Sequence, residues 1–131
     1  MDLLKKYIDE IGQDLVLDDF NLKEAQMRLP ARKHFWVARL MDAKRNRNIL
    51  ISKKKKLKKE VVVKVIADSP VRITQSAAET AAEKHESLVV INDKITELDC
   101  VIEYLEKVEK IFSNMHWEIK NIVDINKMEQ L

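Results

Sequence analysis

Glycine is almost missing from this chain: among 131 residues it occurs once, at Gly12, and proline occurs twice, at Pro30 and Pro70. Phosphate-cradling loops, dinucleotide fingerprints and nucleophile elbows each need several glycines to bring backbone amides close to a ligand or to make a strained turn, so an ATPase or a kinase is excluded. The same scarcity points to long uninterrupted helices with few tight turns. Cysteine occurs once, at Cys100. An intrachain disulfide is therefore impossible, and a reducing cytosol is the expected compartment. Cys100 has no histidine at local spacing and reads as a free structural thiol. His34, His85 and His116 are dispersed, and no pair has zinc-ligand spacing. The amino-terminal stretch lacks the apolar core of a signal peptide, and no apolar run is long enough to span a bilayer. No catalytic residue, no cofactor-binding residue and no metal ligand is expected. Glu103, Glu106 and Glu109 read as a solvated helix face.

Charge is abundant, at 35% of residues, whereas aromatics make up 5%. Narrow apolar stripes flanked by charge suit elongated helices that bury a seam. The formal net charge of +2 conceals a strong asymmetry: residues 1–22 carry net −4, residues 23–59 net +12 and residues 60–131 net −6. One segment is a polycation between two acidic ones.

Along the chain, the first ten residues read as a short helix with Leu3, Leu4, Tyr7 and Ile8 on one face. Asp14-Leu15-Val16-Leu17-Asp18 reads as a short extended segment, the one candidate strand near the N-terminus. Asp18, Asp19 and Asn21 are candidate helix caps. Pro30 is expected to break or kink the helix at that point, because it pushes Leu29 away from helical geometry. Trp36, Leu40, Ala43, Arg47, Leu50, Lys54, Leu57, Val61 and Val65 recur at steps of three and four, which predicts one helix from about Ala31 to Ala67. A competing pattern reads Val61 to Ile66 as a strand paired with Val71–Ile73 across Asp68-Ser69-Pro70. Ser76-Ala77-Ala78-Glu79 has the form of a capping box.

The clearest signal comes next: Leu88, Ile91, Ile95, Leu98, Ile102, Leu105, Val108, Phe112, Met115, Ile119 and Ile122 form a heptad seam. A stammer at Val108 predicts local overwinding or a break, with Ser113-Asn114 as a natural interruption. Heptads do not name their partner. A continuous coiled coil stays open beside a form in which Ser76 to Ile91 packs within the chain and the rest associates between chains.

Lys44 to Lys59 holds nine basic residues and no acidic one. Consecutive lysines on a helix point to every side, so part of this run must face solvent or a polyanion. Lysines that neutralise phosphates release counterions and give affinity without reading sequence. Lys53, Lys54, Lys55, Lys56, Lys58 and Lys59 are the candidate phosphate contacts, supported by Lys44, Arg45 and Arg47. Phe35 and Trp36 precede the run and offer either a base-stacking surface or, the favoured reading, core packing. Asn46 and Asn48 are the only candidates for reading base edges, which disfavours a sequence-specific transcription factor.

This order of features resembles the UvsY family of phage recombination mediators, found in T-even-type phages. Four features carry the resemblance. The first is the acidic-flanked Asp14 to Asp18 followed by a helix with Leu22, and the second is Trp36, midway to the basic helix. The third is the stretch ending Lys55-Lys56-Leu57-Lys58-Lys59, similar to the family's short basic Leu-Lys motif assigned to single-stranded DNA. The fourth is Leu98-Asp99 beside Cys100, then Ile119-Lys120 and Ile122 with Asp124. After the basic motif the family has an arginine and aromatics, where this chain has Glu60 and the Val61–Ile66 run.

The resemblance implies a non-enzymatic mediator without cofactors, acting in the cytoplasm of the infected bacterial host. It implies binding of single-stranded DNA, weakening of the coat of the phage single-strand DNA-binding protein, and contact with a RecA-like phage recombinase to load it. It also implies a homo-oligomeric ring, hexameric or heptameric, made through the C-terminal helix, for which Leu105, Val108, Phe112, Met115, Ile119 and Ile122 are the candidate oligomerisation residues. The expected architecture is all-α, one domain over 1–131, with elongated helices and a coiled-coil-like oligomerisation helix at the C-terminus. Residues 1–67 would form the DNA-binding part and 74–131 the self-association helices. The rival reading is a structural coiled-coil adaptor whose basic tract docks an acidic partner.

Overall fold

A computed structural model describes residues 2–18 and 20–130. It is all-α: α1 spans Asp2–Asp14, α2 Leu22–Asp68, α3 Gln75–Glu83 and α4 Glu86–Glu129. Among the described residues there is no strand. The candidate strand at Asp14 to Asp18 is instead the last residue of α1, a turn and irregular backbone, with no second extended segment beside it. Val61 to Ile66 is helical, and Val71–Ile73 is irregular chain. The β-branched run is held as helix by burial of Val61 and Val62.

Asp18 and Asn21 lead into α2 with a reciprocal pair of hydrogen bonds. The Asp18 amide donates to Asn21 Oδ1 at 2.8 Å, and the Asn21 amide donates to Asp18 Oδ1 at 2.9 Å. This is the logic of a capping box, in which two side chains satisfy amides that lack helical partners. Asp19, the third candidate cap, lies outside the described residues.

The expected break at Pro30 does not occur: α2 runs through it for 47 residues. Proline in a helix interior removes one backbone hydrogen bond and costs roughly 3 kcal/mol. Here both Pro30 and Gln26, whose carbonyl loses its donor, are exposed. Burial of Leu22 before the proline and of Trp36 after it holds both sides as helix. α4 likewise continues for 44 residues through Val108 and Ser113-Asn114, so the expected interruption is absent. A serine and an asparagine inside a helix each cost only a few tenths of a kcal/mol more than good helix formers, less than the burial of Phe112 and Met115 beside them returns. The cap of α3 is Thr74 rather than Ser76. Thr74 has extended backbone and its hydroxyl accepts from the Ala77 amide at 3.1 Å, while Ser76 lies inside the helix. α4 opens on His85, whose Nδ1 accepts from the Ser87 amide at 3.2 Å.

The chain forms two compact units, Met1–Asp42 with Cys100–Leu131, and Ala43–Asp99. These units cut across the expected division into 1–67 and 74–131, because α2 and α4 each contribute to both. In the first unit Ile11, Leu22, Trp36 and Leu40 are buried with Val101, Leu105, Val108, Phe112, Met115 and Ile119. Polar contacts tie α1 to α2 there. The Trp36 indole N–H donates to Asp14 Oδ2 at 2.9 Å, Arg32 pairs with Asp14 at 3.2 Å, and Arg39 pairs with Glu10 at 2.9 Å. The Arg39 guanidinium also lies 4.2 Å from the centre of the Phe35 ring and 5.0 Å from those of Tyr7 and Trp36. In the second unit Val61, Val62, Ala78, Ala82 and Leu88 form the core, with Leu57, Val65, Ile73 and Ile91 packed against it.

Five of the six candidate oligomerisation residues, Leu105, Val108, Phe112, Met115 and Ile119, are thus already 1–3% exposed within a single chain, and Ile122 is half-buried. Their heptad pattern is covered inside the first unit of a single chain.

Phe112→Ala should therefore destabilise the protein by about 3–5 kcal/mol, the usual cost of deleting a buried aromatic ring. Ile111→Ala, next to it and exposed, should cost under about 0.5 kcal/mol. Urea unfolding followed by helical circular dichroism reads both. Gly12 sits in α1 with nothing within 4 Å of where a Cβ would lie. Gly12→Ala should raise stability by about 0.5 kcal/mol through the unfolded chain's lost freedom, seen as a higher urea midpoint at unchanged slope.

Candidate nucleic-acid interface

All nine candidate cations between Lys44 and Lys59 lie on α2 and within the second unit. A helix turns by 3.6 residues, so such a run cannot show one face to a ligand. Arg45, Lys53, Lys55, Lys56 and Lys59 are exposed, whereas Lys44, Arg47, Lys54 and Lys58 are half-buried. The inward turn is set by Leu50, Leu57 and Val61, which bring Lys54 and Lys58 toward α3 and α4.

Two carboxylates meet the cations that turn inward. Lys58 Nζ lies 3.0 Å from Glu83 Oε1 at the end of α3, and Arg47 pairs with Asp99 on α4. The hydrogen bond from Lys58 holds the Glu83 carboxyl below the ordinary glutamate range, against the opposing effect of its desolvation, and the charge of Lys54 adds to the lowering. A groove of about 540 Å³ runs between these pairs, lined by Arg47, Lys54, Lys58, Glu83, Asn92 and Thr96. The internal pairing divides the tract. Arg47 and Lys58 face carboxylates within the protein, while Arg45, Lys53, Lys55, Lys56 and Lys59 face solvent.

Nothing in the sequence pattern marked Glu83 or Asp99 as a partner of the basic tract. Trp36 is core, its ring buried beneath Arg39 and its N–H committed to Asp14. Phe35 is exposed at the edge of the same cluster. Cys100 is a free, exposed thiol. Among the described residues no group of three or more histidine, cysteine, aspartate or glutamate side chains gathers to hold a metal ion. No helix of the described residues is long and apolar enough to cross a membrane.

The family model described as recombination, repair and ssDNA binding protein UvsY matches residues 10–130. The chain belongs to the UvsY family. Among solved structures it is similar to the bacteriophage T4 recombination mediator protein UvsY in two crystal forms. In one the TM-score is 0.82 at 14% identity, covering 96% of this chain and 98% of that one. In the other the TM-score is 0.78 at 15% identity, covering 98% of both. No curated protein matches. At this identity the structural likeness establishes the UvsY fold, and the cationic surface on α2 has to be read from this chain's own residues.

The Lys58–Glu83 pair carries a pH signature. A carboxyl whose pKa is lowered by folding contributes stability that is present above its unfolded-state pKa and is lost as pH falls through the lower, folded value. The pair is part-exposed, so its contribution should stay under about 1 kcal/mol. In Lys58→Met the Glu83 carboxyl should titrate back toward the ordinary glutamate range in carboxyl-detected NMR. The variant should also lose this part of the acid-side fall in urea midpoint.

Proposed function

We propose that this protein is a recombination mediator. It binds single-stranded DNA as a homo-oligomer, destabilises the coat of a single-strand-binding protein and promotes loading of a RecA-like recombinase. The observation that carries the reading is the exposed set Arg45, Lys53, Lys55, Lys56 and Lys59 on α2, in a member of a family described by recombination, repair and ssDNA binding. Lysines reach phosphates as flexible point charges, so they grip a strand with little regard to its sequence. A coat protein holds the same phosphates, and a competitor that occupies them weakens the coat's grip on that stretch of strand.

Association between copies rests on the outer face of α4. Trp117, Ile125 and Met128 recur at helical spacing on the side away from the core, and each is more than half exposed. Large apolar side chains grouped on one face are more often contact surface than solvent surface. Several copies then present several lysine tracts to one strand, and linked contacts gain affinity through effective concentration. Removing the chain after Phe112 would not test this, because it also deletes the buried Met115 and Ile119. The double substitution Trp117→Ser with Ile125→Asp leaves the core intact.

Binding to single strands should weaken steeply with salt and should exceed binding to duplex. Lys58→Ala with Lys59→Ala should lower the salt slope by about one per lost phosphate contact on a log–log plot, with helicity unchanged. Lys59 should account for the larger share, since Lys58 is engaged by Glu83. The Trp117→Ser, Ile125→Asp protein should sediment as a smaller species and bind strands more weakly. Flat salt dependence, or a double lysine variant that binds normally, overturns the DNA reading in favour of an adaptor whose lysines only solubilise it. A Trp117→Ser, Ile125→Asp protein that keeps the parent mass overturns this assignment of the oligomer surface.

A further inference from the structure

Beyond the lysines, the outward face of α2 changes character. Lys55 and Lys59 are followed at helical spacing by Val62, which is buried in the core, and by Val63 and Ile66, which are 67% and 43% exposed. With Gln75 and Glu79 of α3 as the opposite wall, these residues line a groove of about 470 Å³ inside the second unit. It has three chemically distinct parts. Lysine ammonium groups stand at one end, an aliphatic floor lies along α2, and an amide and a carboxylate stand side by side on α3, with Gln75 Nε2 3.4 Å from Glu79 Oε1.

We infer that this groove is a nucleobase subsite, which seats one unpaired base of the strand on Val63 and Ile66, above the buried Val62, while Lys55 and Lys59 hold the flanking phosphates. The inference rests on the reading that DNA follows the lysine tract and adds to it what happens to the bases. Charge selects the occupant. The lysines at the end call for an anion there, but the Glu79 carboxylate in the wall repels a second anion deeper in the groove. A strand of DNA meets both demands, since its phosphates are anionic and its bases are neutral and carry amine donors. A strongly acidic peptide would set a carboxylate against Glu79. The aliphatic floor gives a base face an apolar surface to lie on, removing from water the exposed parts of Val63 and Ile66.

The wall also ranks the bases. A carboxylate accepts hydrogen bonds and donates none, so Glu79 suits the exocyclic amine of cytosine or adenine. Thymine has no exocyclic amine, and its single N3–H donor is flanked by two carbonyl oxygens that the carboxylate repels. The discrimination amounts to about one hydrogen bond, enough to order homopolymers but far too little to specify a site.

The test uses the full-length protein and four strands of equal length and phosphate number: oligo-dC, oligo-dA, oligo-dT and a wholly abasic strand, each titrated over a range of salt. The abasic strand should bind about three- to tenfold more weakly than oligo-dC with the same salt slope, because the phosphate contacts are shared and only the base seat is lost. Oligo-dC and oligo-dA should bind more tightly than oligo-dT. Glu79→Gln should shrink the dC-to-dT ratio, since an amide both donates and accepts, even if it tightens every strand by removing a negative charge. Val63→Ser, at an exposed position, should weaken the base-bearing strands and leave the abasic strand unchanged. Equal binding of abasic and base-bearing strands overturns the subsite while leaving the DNA-binding reading standing. Failure of every strand, the abasic one included, removes both. An acidic, leucine-containing peptide that loses binding in Val63→Ser, with no strand affected, assigns the groove to a protein partner and overturns the inference.

Discussion

Four consecutive lysines on a helix point through most of a full turn, so α2 cannot carry Lys53 to Lys56 without directing part of that charge toward its own neighbours. The fold meets this constraint by placing carboxylates where the cations turn inward. Glu83 at the end of α3 receives Lys58, with Lys54 adding to the field, and Asp99 on α4 receives Arg47. Leu57, Val61, Val62 and Val65 of the apolar stripe then pack α2 into the core of the second unit. Arg45, Lys53, Lys55, Lys56 and Lys59 are left facing solvent, and the proposed nucleic-acid surface depends on that sorting of one charge run into inward and outward directions.

The first unit solves a different problem with larger side chains. Trp36 is buried on α2, and its polar edge would be costly there without a partner. Asp14, at the end of α1, accepts its N–H and also pairs with Arg32, so one carboxylate joins α1 to α2 at two points. Arg39 joins them again through Glu10 and through the faces of Tyr7, Phe35 and Trp36. With the carboxy-terminal part of α4 closing the same unit, Phe112 and its neighbours are removed from water without help from another chain. The outer face of that stretch, with Trp117, Ile125 and Met128, stays exposed.

Much of this was legible in the residues. The scarcity of glycine and proline and the two runs of apolar residues at steps of three and four called for long helices. Each residue of both runs, Trp36 to Val65 and Leu88 to Ile122, is buried or half-buried. The cationic tract was equally plain, since it depends on counting charges alone. Pro30 misled, because its cost is local whereas the burial on either side that outweighs it is not. The cap of α3 misled for a related reason: Ser76 and Thr74 both have the right side chain, and only the backbone's path out of α2 decides which of them is extended.

What the sequence determined by itself, then, is whatever depends on neighbours within a few turns: helix type, stripe, and the sign and density of charge. What only the tertiary structure decided is who meets whom. A heptad states that one face must be covered and is silent on the cover, so Leu105 to Ile119 fitted a partner chain as well as they fit the first unit of their own. No local pattern joined Glu83 to Lys58 or Asp99 to Arg47 until α3 and α4 brought them together. The aliphatic patch Val62, Val63 and Ile66 became one side of a groove only when Gln75 and Glu79 were set across from it. Pairings of this kind arise from chain closure over long separations, where no local periodicity carries the information.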